Sequence, residues 1–342
     1  MKLEIVTKEL VLVSALSVIA FLIAMALTVV YTNAAYKYKF WKKQRTVSTS
    51  GEKLEVFTKL HAKKFRHNIP TMAGIVGVSA AAIVTFGLNL DRGQTWLPLA
   101  ALIGGGAVGL LDDVINIRGK GSGVAGLRSS LKFAMITLLA LALGWFFFVK
   151  LGYNSVQIPF VGVWQLGMWI VPLFVLAVVS TSNAVNISDG LDGLAGGLLA
   201  QAYGFFGIIA LLQGNYGIAG FCFTVLGALL SYIWFNIYPA RFFMGDVGSF
   251  ALGTALGVVA MLTNTLLLLP IIGLLFVIET GSSLIQMTSK KFFGRKIFLS
   301  APLHHHLEAS GWPETKVTMR FWVIGAVCGF LGLLLALAGG SI

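Results

Sequence analysis

Cysteine and charged residues are both scarce in this chain. It has 2 cysteines among 342 residues, and 11% of the residues are charged, whereas 57% are hydrophobic. Cys222 and Cys328 lie in separate apolar runs, which excludes a disulfide framework and a zinc site of paired cysteines. So little charge excludes a soluble domain built around one large core. The composition predicts an all-α, polytopic integral membrane protein.

Acidic residues are outnumbered by basic ones, and the net charge is +12. Such a charge is also typical of nucleic-acid-binding proteins. Here, however, the lysines and arginines are concentrated in a few loops beside apolar segments. That distribution favours contact with a membrane surface and with anionic substrates, and we expect no nucleic-acid partner.

Ten apolar segments are long enough to cross a membrane, since about 20 residues span its hydrocarbon core. The first is too long for the core of a signal peptide, so we expect it to be retained as a helix. No internal repeat stands out, and the sequence predicts one membrane domain over residues 1–342. The predicted spans are 10–30, 70–89, 95–114, 130–149, 164–185, 191–212, 217–238, 247–264, 265–288 and 317–339.

Loop charge predicts the orientation of these spans. If the N-terminus is outside, the inside loops (37–67, 112–132, 239–246 and 289–320) hold 21 of the 25 lysines and arginines. Basic residues collect on the cytoplasmic side of membrane proteins. We therefore expect both termini on the outer side.

Five of the six aspartates lie in three short polar motifs at the ends of predicted spans. A charged side chain at the centre of a membrane helix costs about 2.5–3.5 kcal/mol on insertion scales, so such residues are commonly functional. The predicted topology brings all three motifs to the inside face, where they can form one acidic, metal-binding site. These aspartates are Asp112, Asp113, Asp189, Asp192 and Asp246.

The aspartate motifs also have plain structural interpretations. Asp112 and Asp113 would repel by about 3 kcal/mol at about 5 Å if they faced one site, and Mg²⁺ could offset that repulsion. The same pair could instead be a solvated helix end. Asp246 lies between glycines at the start of a span, where it could be a simple helix N-cap.

A series of amides and carboxylates recurs every three residues and so lines one helix face or a short loop. Gly190 and Gly193 within it let the backbone turn and let a ligand approach closely. Asn236, at the end of another span, faces the same membrane boundary. A polar loop with ordinary helix caps is the alternative. The series is Asn183, Asn186, Asp189 and Asp192.

Histidines and further charged groups are predicted near this face. His304, His305 and His306 are consecutive in the last inside loop, where they could contact phosphate, transfer protons or contact a metal. An incidental polar loop is the alternative. Glu279 lies within a predicted span, so it is either functional or the partner of a structural group.

A cluster of cations precedes the second span. Lys64 and Arg66 lie before Pro70-Thr71-Met72, where the second span begins. Cations beside small residues at the start of a span could bind a diphosphate. A positively charged flank of a membrane span would look the same.

Together these motifs resemble the phospho-N-acetylmuramoyl-pentapeptide-transferases, within the superfamily of polyprenyl-phosphate sugar-1-phosphate transferases. The resemblance extends from about Lys59 to the C-terminus, so residues 59–342 are identified as the catalytic membrane domain. Residues 1–58, a span and a basic cytoplasmic linker, match poorly. The most specific parts are Ser182–Ala195, Phe243–Ser249 and the Ala-Pro-Leu-His-His-His run at 301–306.

The resemblance implies Mg²⁺-dependent transfer of phospho-MurNAc-pentapeptide from UDP-MurNAc-pentapeptide to undecaprenyl phosphate, with formation of lipid I and release of UMP in peptidoglycan synthesis. It implies a multi-pass homodimer in the bacterial cytoplasmic membrane, with its active site on the cytoplasmic face. Asp246 would hold Mg²⁺, with Asp112 and Asp113 as further possible ligands. Asp112 would be the base that deprotonates the lipid phosphate, and a route through a phosphorylated Asp112 stays open as the alternative. The implied substrate-binding residues are Lys64, Arg66, Thr71, Lys132, Asn183, Asn186, Asp189, Asp192, Asn236, His304, His305 and His306.

Two alternatives stay open at this point. A sibling transferase would move another sugar-1-phosphate, such as N-acetylglucosamine-1-phosphate, onto the same lipid, and the aspartate motifs fit it equally well. A cation-binding transporter belongs to another class, but transporters place charged groups near the bilayer midplane, whereas these aspartates gather at one face.

Overall fold

A computed structural model describes residues 2–41, 68–118 and 126–342, and helices dominate it. Lys64 and Arg66, with most of the basic linker, lie outside the described residues. Numbered along the chain, the helices are α1 (Lys2–Lys37), α2 (Gly74–Leu88), α3 (Trp96–Arg118), α4 (Ser129–Val149), α5 (Ile170–Ser188), α6 (Leu194–Leu212), α7 (Tyr216–Asn236), α8 (Gly245–Leu262), α9 (Leu269–Ile272), α10 (Leu274–Phe293), α11 (Leu303–Ala309) and α12 (Glu314–Ala338).

The chain folds as a polytopic membrane protein. Within the described ranges, eight helices are long and apolar enough to cross a membrane. Helix α2 is shorter, with 15 residues. The predicted ninth span is broken at Gly273 into α9 and α10, which are bent by 79° from each other. The total of ten spans and the side of the termini stay predictions.

A short hairpin of two antiparallel strands, β1 (Ser155–Ile158) and β2 (Gly162–Gln165), stands between α4 and α5. The all-α prediction is therefore wrong for this segment. Phe160 in its turn and Gly162 at the start of β2 have positive φ angles of 66° and 112°. Because residues 162–165 form a strand, the following helix begins at Ile170. The sequence predicts the start of this span at residue 164.

Helix α8 lies at the centre of the bundle and is buried along nearly all of its length. Lipid tails are as apolar as leucine, so membrane helices associate mainly through close packing of small residues. Gly105 and Gly109 of α3 lie against the backbone of α8, and Gly253 and Gly257 of α8 lie against the backbone of α5. These glycines bring the polar ends of three helices close together.

Gly109 gives this packing a direct test. A Cβ at this position would overlap the carbonyl group of Asp246 and lie 2.6 Å from the backbone nitrogen of Val247. We expect Gly109→Ala to push α3 from α8 and to destabilise the fold by about 1–3 kcal/mol, as overpacking does. Thermal unfolding in detergent measures the effect.

Gly77→Ala is the matched control, because nothing lies within 4 Å of a Cβ at Gly77. Alanine there is expected to leave the unfolding temperature unchanged or slightly raised, since alanine favours helix over glycine. Equal unfolding temperatures for the Gly77 and Gly109 variants would contradict the close contact of α3 with α8.

Candidate active site

Lys132 joins two aspartates that come from different helices. Its ammonium nitrogen lies 3.2 Å from Oδ2 of Asp112 and 3.1 Å from Oδ2 of Asp246. Helices α3, α4 and α8 each supply one of the three groups, so the cluster exists only when these helices pack. The side chain of Asp112 is 1% exposed, whereas those of Asp246 and Lys132 are 14% and 15% exposed. Asp246 and Lys132 are therefore the more accessible members of the cluster.

The loop before α4 encloses the carboxylate of Asp112. The backbone nitrogen of Leu127 donates a hydrogen bond to its Oδ1 at 2.5 Å. Gly126 has a φ angle of +104°, and a Cβ at this glycine would come within 2.8 Å of the same oxygen. One oxygen of Asp112 is thus bound by backbone, and the other faces Lys132.

Asp113 has a different partner from its neighbour. Its Oδ2 accepts a hydrogen bond from the backbone nitrogen of Val247 at 3.0 Å, in the first turn of α8. A carboxylate is favourable there because helix N-termini carry unpaired N–H groups and partial positive charge. Asp246 itself is not the N-cap, since α8 begins at Gly245 and Met244 holds the cap position.

The Pro70-Thr71-Met72 segment, which precedes α2, is held by backbone hydrogen bonds at the same end of α8. The backbone nitrogen of Phe243 donates to the carbonyl of Pro70 at 2.8 Å, and that of Gly74 donates to the carbonyl of Met244 at 2.8 Å. The Thr71 hydroxyl is buried and, among the described residues, has no hydrogen-bond partner. This segment is therefore fixed against the start of α8, the helix end that carries Asp246.

Of the polar series at the end of α5, Asn186 contacts α8. Its Nδ2 donates to the Ser249 hydroxyl at 2.8 Å, one turn after Asp246. Asn183 instead donates to the carbonyl of Val179 in its own helix at 2.8 Å. The structure therefore brings Asn186 toward the aspartates and leaves Asn183 bonded within α5.

Asp192 and Asn236 hold two loops together. Oδ2 of Asp192 accepts from the backbone nitrogen of Ala240 at 3.0 Å, and Oδ1 of Asn236 accepts from that of Gly193 at 2.9 Å. Both side chains are buried. Their contacts fix the loop after α5, which also carries Asp189, against the loop after α7.

The three histidines are not equivalent in the structure. His304 is fully buried, and its Nδ1 lies 2.7 Å from Oε2 of Glu279. Nδ1 of His305 lies 2.8 Å from Oε2 of Glu308. Nδ1 of His306 accepts a hydrogen bond from the backbone nitrogen of Leu299 at 3.2 Å, so a neutral ring carries its proton on Nε2.

Several of these partners were not predicted. Glu308 follows His305 by three residues, a helical spacing that places two side chains side by side. Glu314 accepts a hydrogen bond from the backbone nitrogen of Asp192 at 2.7 Å through its Oε1, and the sequence carries no signal for this contact across 122 residues. Ser249 follows Asp246 by three residues and could have been found by the same helical spacing.

The contacts form one continuous path across the site. It runs from the Asp112–Lys132–Asp246 cluster along α8 to Ser249 and Asn186. From Asn186 it continues through the Asp189–Gly190 loop, against which the ring of His304 lies. The aspartate motifs and the histidine motif therefore border the same region, as the predicted topology required.

The oxygen donors of this cluster suit Mg²⁺. Within the described ranges, no group of three or more histidine, cysteine or acidic side chains converges as a metal cage. Mg²⁺, however, is commonly held by one or two carboxylates together with substrate phosphates and waters. Asp112 and Asp246 share one cation, Lys132, so their carboxylates are close enough for such a site. The residues therefore fit the ion.

Comparison with known proteins gives a consistent result. A family model described as glycosyl transferase family 4 matches residues 95–264. A phospho-N-acetylmuramoyl-pentapeptide-transferase of Chloroflexus aggregans is 38% identical over 340 residues, covering 95% of this chain and 90% of the relative. The enzyme of that name from Geobacillus thermodenitrificans is 38% identical over 322 residues, covering 92% and 95%. That from Chloroflexus aurantiacus is 42% identical over 285 residues, covering 79% and 78%.

Proposed function

Because the chain belongs to the phospho-N-acetylmuramoyl-pentapeptide-transferase family, we propose that it transfers phospho-MurNAc-pentapeptide from UDP-MurNAc-pentapeptide to undecaprenyl phosphate. The products are lipid I and UMP. The chain is a phospho-sugar transferase of peptidoglycan synthesis in a bacterial membrane. The observation that carries the proposed reaction is the partly exposed Asp112–Lys132–Asp246 cluster.

In this reaction, an oxygen of the lipid phosphate attacks the phosphorus that bears the sugar, and the bond to UMP breaks. Phosphoryl transfer depends mainly on positioning and on stabilisation of negative charge. Lys132 places a cation where the phosphates meet. Asp112 accepts the remaining proton of the lipid phosphate, and Lys132 then stabilises the new diphosphate.

Asp246 is the residue best placed to hold Mg²⁺, since it is more exposed than Asp112 and lies at the start of α8. Asp113 fixes the backbone next to Asp246, because its carboxylate accepts a hydrogen bond from the backbone nitrogen of Val247. When bound, Mg²⁺ neutralises phosphate charge and polarises the phosphoryl oxygens.

We assign some of the remaining site residues to contact with the substrate and others to the loops around it. We assign Asn186, Asp189 and the histidines to the nucleotide-sugar side, together with Lys64 and Arg66. Asp192 and Asn236 fix the loops that surround it, and Thr71 lies in the segment that is hydrogen-bonded to the start of α8. The charge of the inside loops supports a site on the cytoplasmic face, and the family resemblance supports a homodimer.

Donor selection tests the proposed function. Purified protein with undecaprenyl phosphate and Mg²⁺ is given either UDP-MurNAc-pentapeptide or UDP-N-acetylglucosamine, and UMP release is measured. We expect release from the muramoyl donor alone and its loss on addition of EDTA. Release only from UDP-N-acetylglucosamine would identify a sibling transferase instead.

A further inference from the structure

Glu279 and His304 form a completely buried pair between α10 and α11. Both side chains are 0% exposed. One carboxylate oxygen of Glu279 lies 2.7 Å from Nδ1 of His304, and the other accepts a hydrogen bond from the backbone nitrogen of His304 at 3.1 Å. One carboxylate therefore holds both the backbone and the ring of this histidine.

This pairing also determines which ring nitrogen carries a proton. An ionised carboxylate only accepts hydrogen bonds, so Nδ1 of His304 must be the protonated nitrogen. In a neutral ring, the other nitrogen, Nε2, then carries a lone pair on the far side of the ring. Among the described residues, this buried Nε2 has no hydrogen-bond partner. A buried polar atom without a partner is uncommon in a folded protein and points to a missing ligand or water.

Nε2 of His304 is directed at the loop that carries the candidate substrate residues. A Cβ at Gly190 would overlap this nitrogen, and Gly190 is itself exposed. Nε2 therefore lies directly beneath Gly190, which covers it on the side that faces the loop. Gly190 directly follows Asp189, which we assign to the nucleotide-sugar side.

We propose that Glu279 is a positioning residue for this site. Through the ring of His304, whose Nε2 lies against Gly190, it holds the Asp189–Gly190 loop in the position that receives the nucleotide-sugar substrate. The inference rests on the proposed function. It also gives a reason for a carboxylate within an apolar helix. A charged side chain inside a membrane is energetically costly, and the acidic residues found there are commonly functional.

The protonation state of His304 tests the first half of the inference independently of turnover. In full-length protein labelled with ¹⁵N-histidine, the signals of His304 are assigned by their loss in His304→Gln. We expect a ring protonated on Nδ1 in the wild type and a clear change of its signals in Glu279→Gln. A ring protonated only on Nε2, or unchanged signals in Glu279→Gln, would overturn the proposal.

Glu308→Gln is the matched control, because Glu308 pairs with the neighbouring His305 at a similar distance, 2.8 Å. This variant is expected to change the signals of His305 and to leave those of His304 in place. Equal changes of His304 in both variants would show a general disturbance of the loop and would contradict a specific role for Glu279.

A double-mutant cycle on UMP release tests the second half. Glu279→Gln is expected to lower kcat/KM for the nucleotide sugar by about 10–100-fold, the scale of losing a residue that orients a metal-binding histidine. The KM for undecaprenyl phosphate is expected to stay unchanged. In the His304→Gln background, Glu279→Gln should add less than about 2-fold, because a residue that acts through another has nothing left to orient. Additive losses would overturn the proposal.

Gly190→Ala keeps the test decisive if Glu279→Gln does not fold. The added methyl group would contact Nε2 of His304, on the side of the ring away from Glu279, and the Glu279 carboxylate itself is unchanged. We expect shifted His304 signals and a lower kcat/KM for the nucleotide sugar, and unchanged values for both would contradict the proposal. Absence of UMP release from the wild type would refute the proposed function instead, without altering the NMR result.

Discussion

Asp246→Asn is expected to lower UMP release by at least about 1,000-fold, the scale of losing a charge that stabilises the transferring phosphoryl group. The carboxylate of Asp246 lies 3.1 Å from the ammonium of Lys132 and is the more exposed of the two aspartates there. Asparagine keeps the size of the side chain but removes the charge that would attract Mg²⁺. Initial rates across a range of Mg²⁺ concentrations measure the loss and any rise in the Mg²⁺ requirement.

Asp91→Asn is the matched control, since Asp91 is the one aspartate outside the three motifs. Its Oδ1 accepts hydrogen bonds from the backbone nitrogens of Gly93 and Gln94 at 2.8 and 2.7 Å. Asparagine can accept the same bonds, so wild-type turnover is expected. Full activity in Asp246→Asn would remove this residue from the reaction centre.

Lys132→Met is expected to produce the second-largest effect, a loss of turnover of about 100-fold or more. Without the ammonium, the carboxylates of Asp112 and Asp246 face each other with no shared cation. Removing one member of a buried ionic group typically costs about 3–5 kcal/mol, so the unfolding temperature should also fall. Mg²⁺ should restore part of the stability, because it neutralises the same carboxylates, but it should not restore the rate.

Lys150→Met serves as the control for Lys132→Met, because Lys150 directly follows the other end of the same helix, α4. We expect wild-type stability and turnover in this variant. Comparable losses in both variants would show that any lysine flanking α4 is needed, and would contradict a specific bridge between the two aspartates.

The gathering of the aspartates on one face could be predicted from the sequence. The bias of lysines and arginines toward alternate loops and the lengths of the apolar runs place Asp112, Asp189 and Asp246 on the same side. In the structure, the residues around them lie along one path of contacts. The family resemblance added Lys132, which no spacing rule connects to Asp246, 114 residues away.

Which partner each residue of a motif contacts could not be predicted. Neighbouring residues on a helix point about 100° apart, so Asp112 faces Lys132 whereas Asp113 faces the backbone of Val247. Which direction each takes depends on how α3 and α8 pack. The same holds for His304, whose partner Glu279 lies 25 residues earlier.

Two elements of the fold also escaped the sequence analysis. The β1–β2 hairpin lies between apolar segments, and its alternation is too short to separate it from the start of a span. The bend between α9 and α10 occurs inside a nearly continuous apolar run. Gly273 marks it, but a glycine inside a helical pattern is commonly tolerated, so the break became visible only in three dimensions.

The lipid product formed by the wild-type protein tests the central claim most directly. Purified protein is incubated with UDP-MurNAc-pentapeptide, undecaprenyl phosphate and Mg²⁺, and the lipid fraction is analysed by mass spectrometry. We predict undecaprenyl diphosphate carrying MurNAc-pentapeptide, in a 1:1 ratio to the UMP released. Unchanged undecaprenyl phosphate, or UMP released with water-soluble phospho-MurNAc-pentapeptide, would contradict transfer to the lipid.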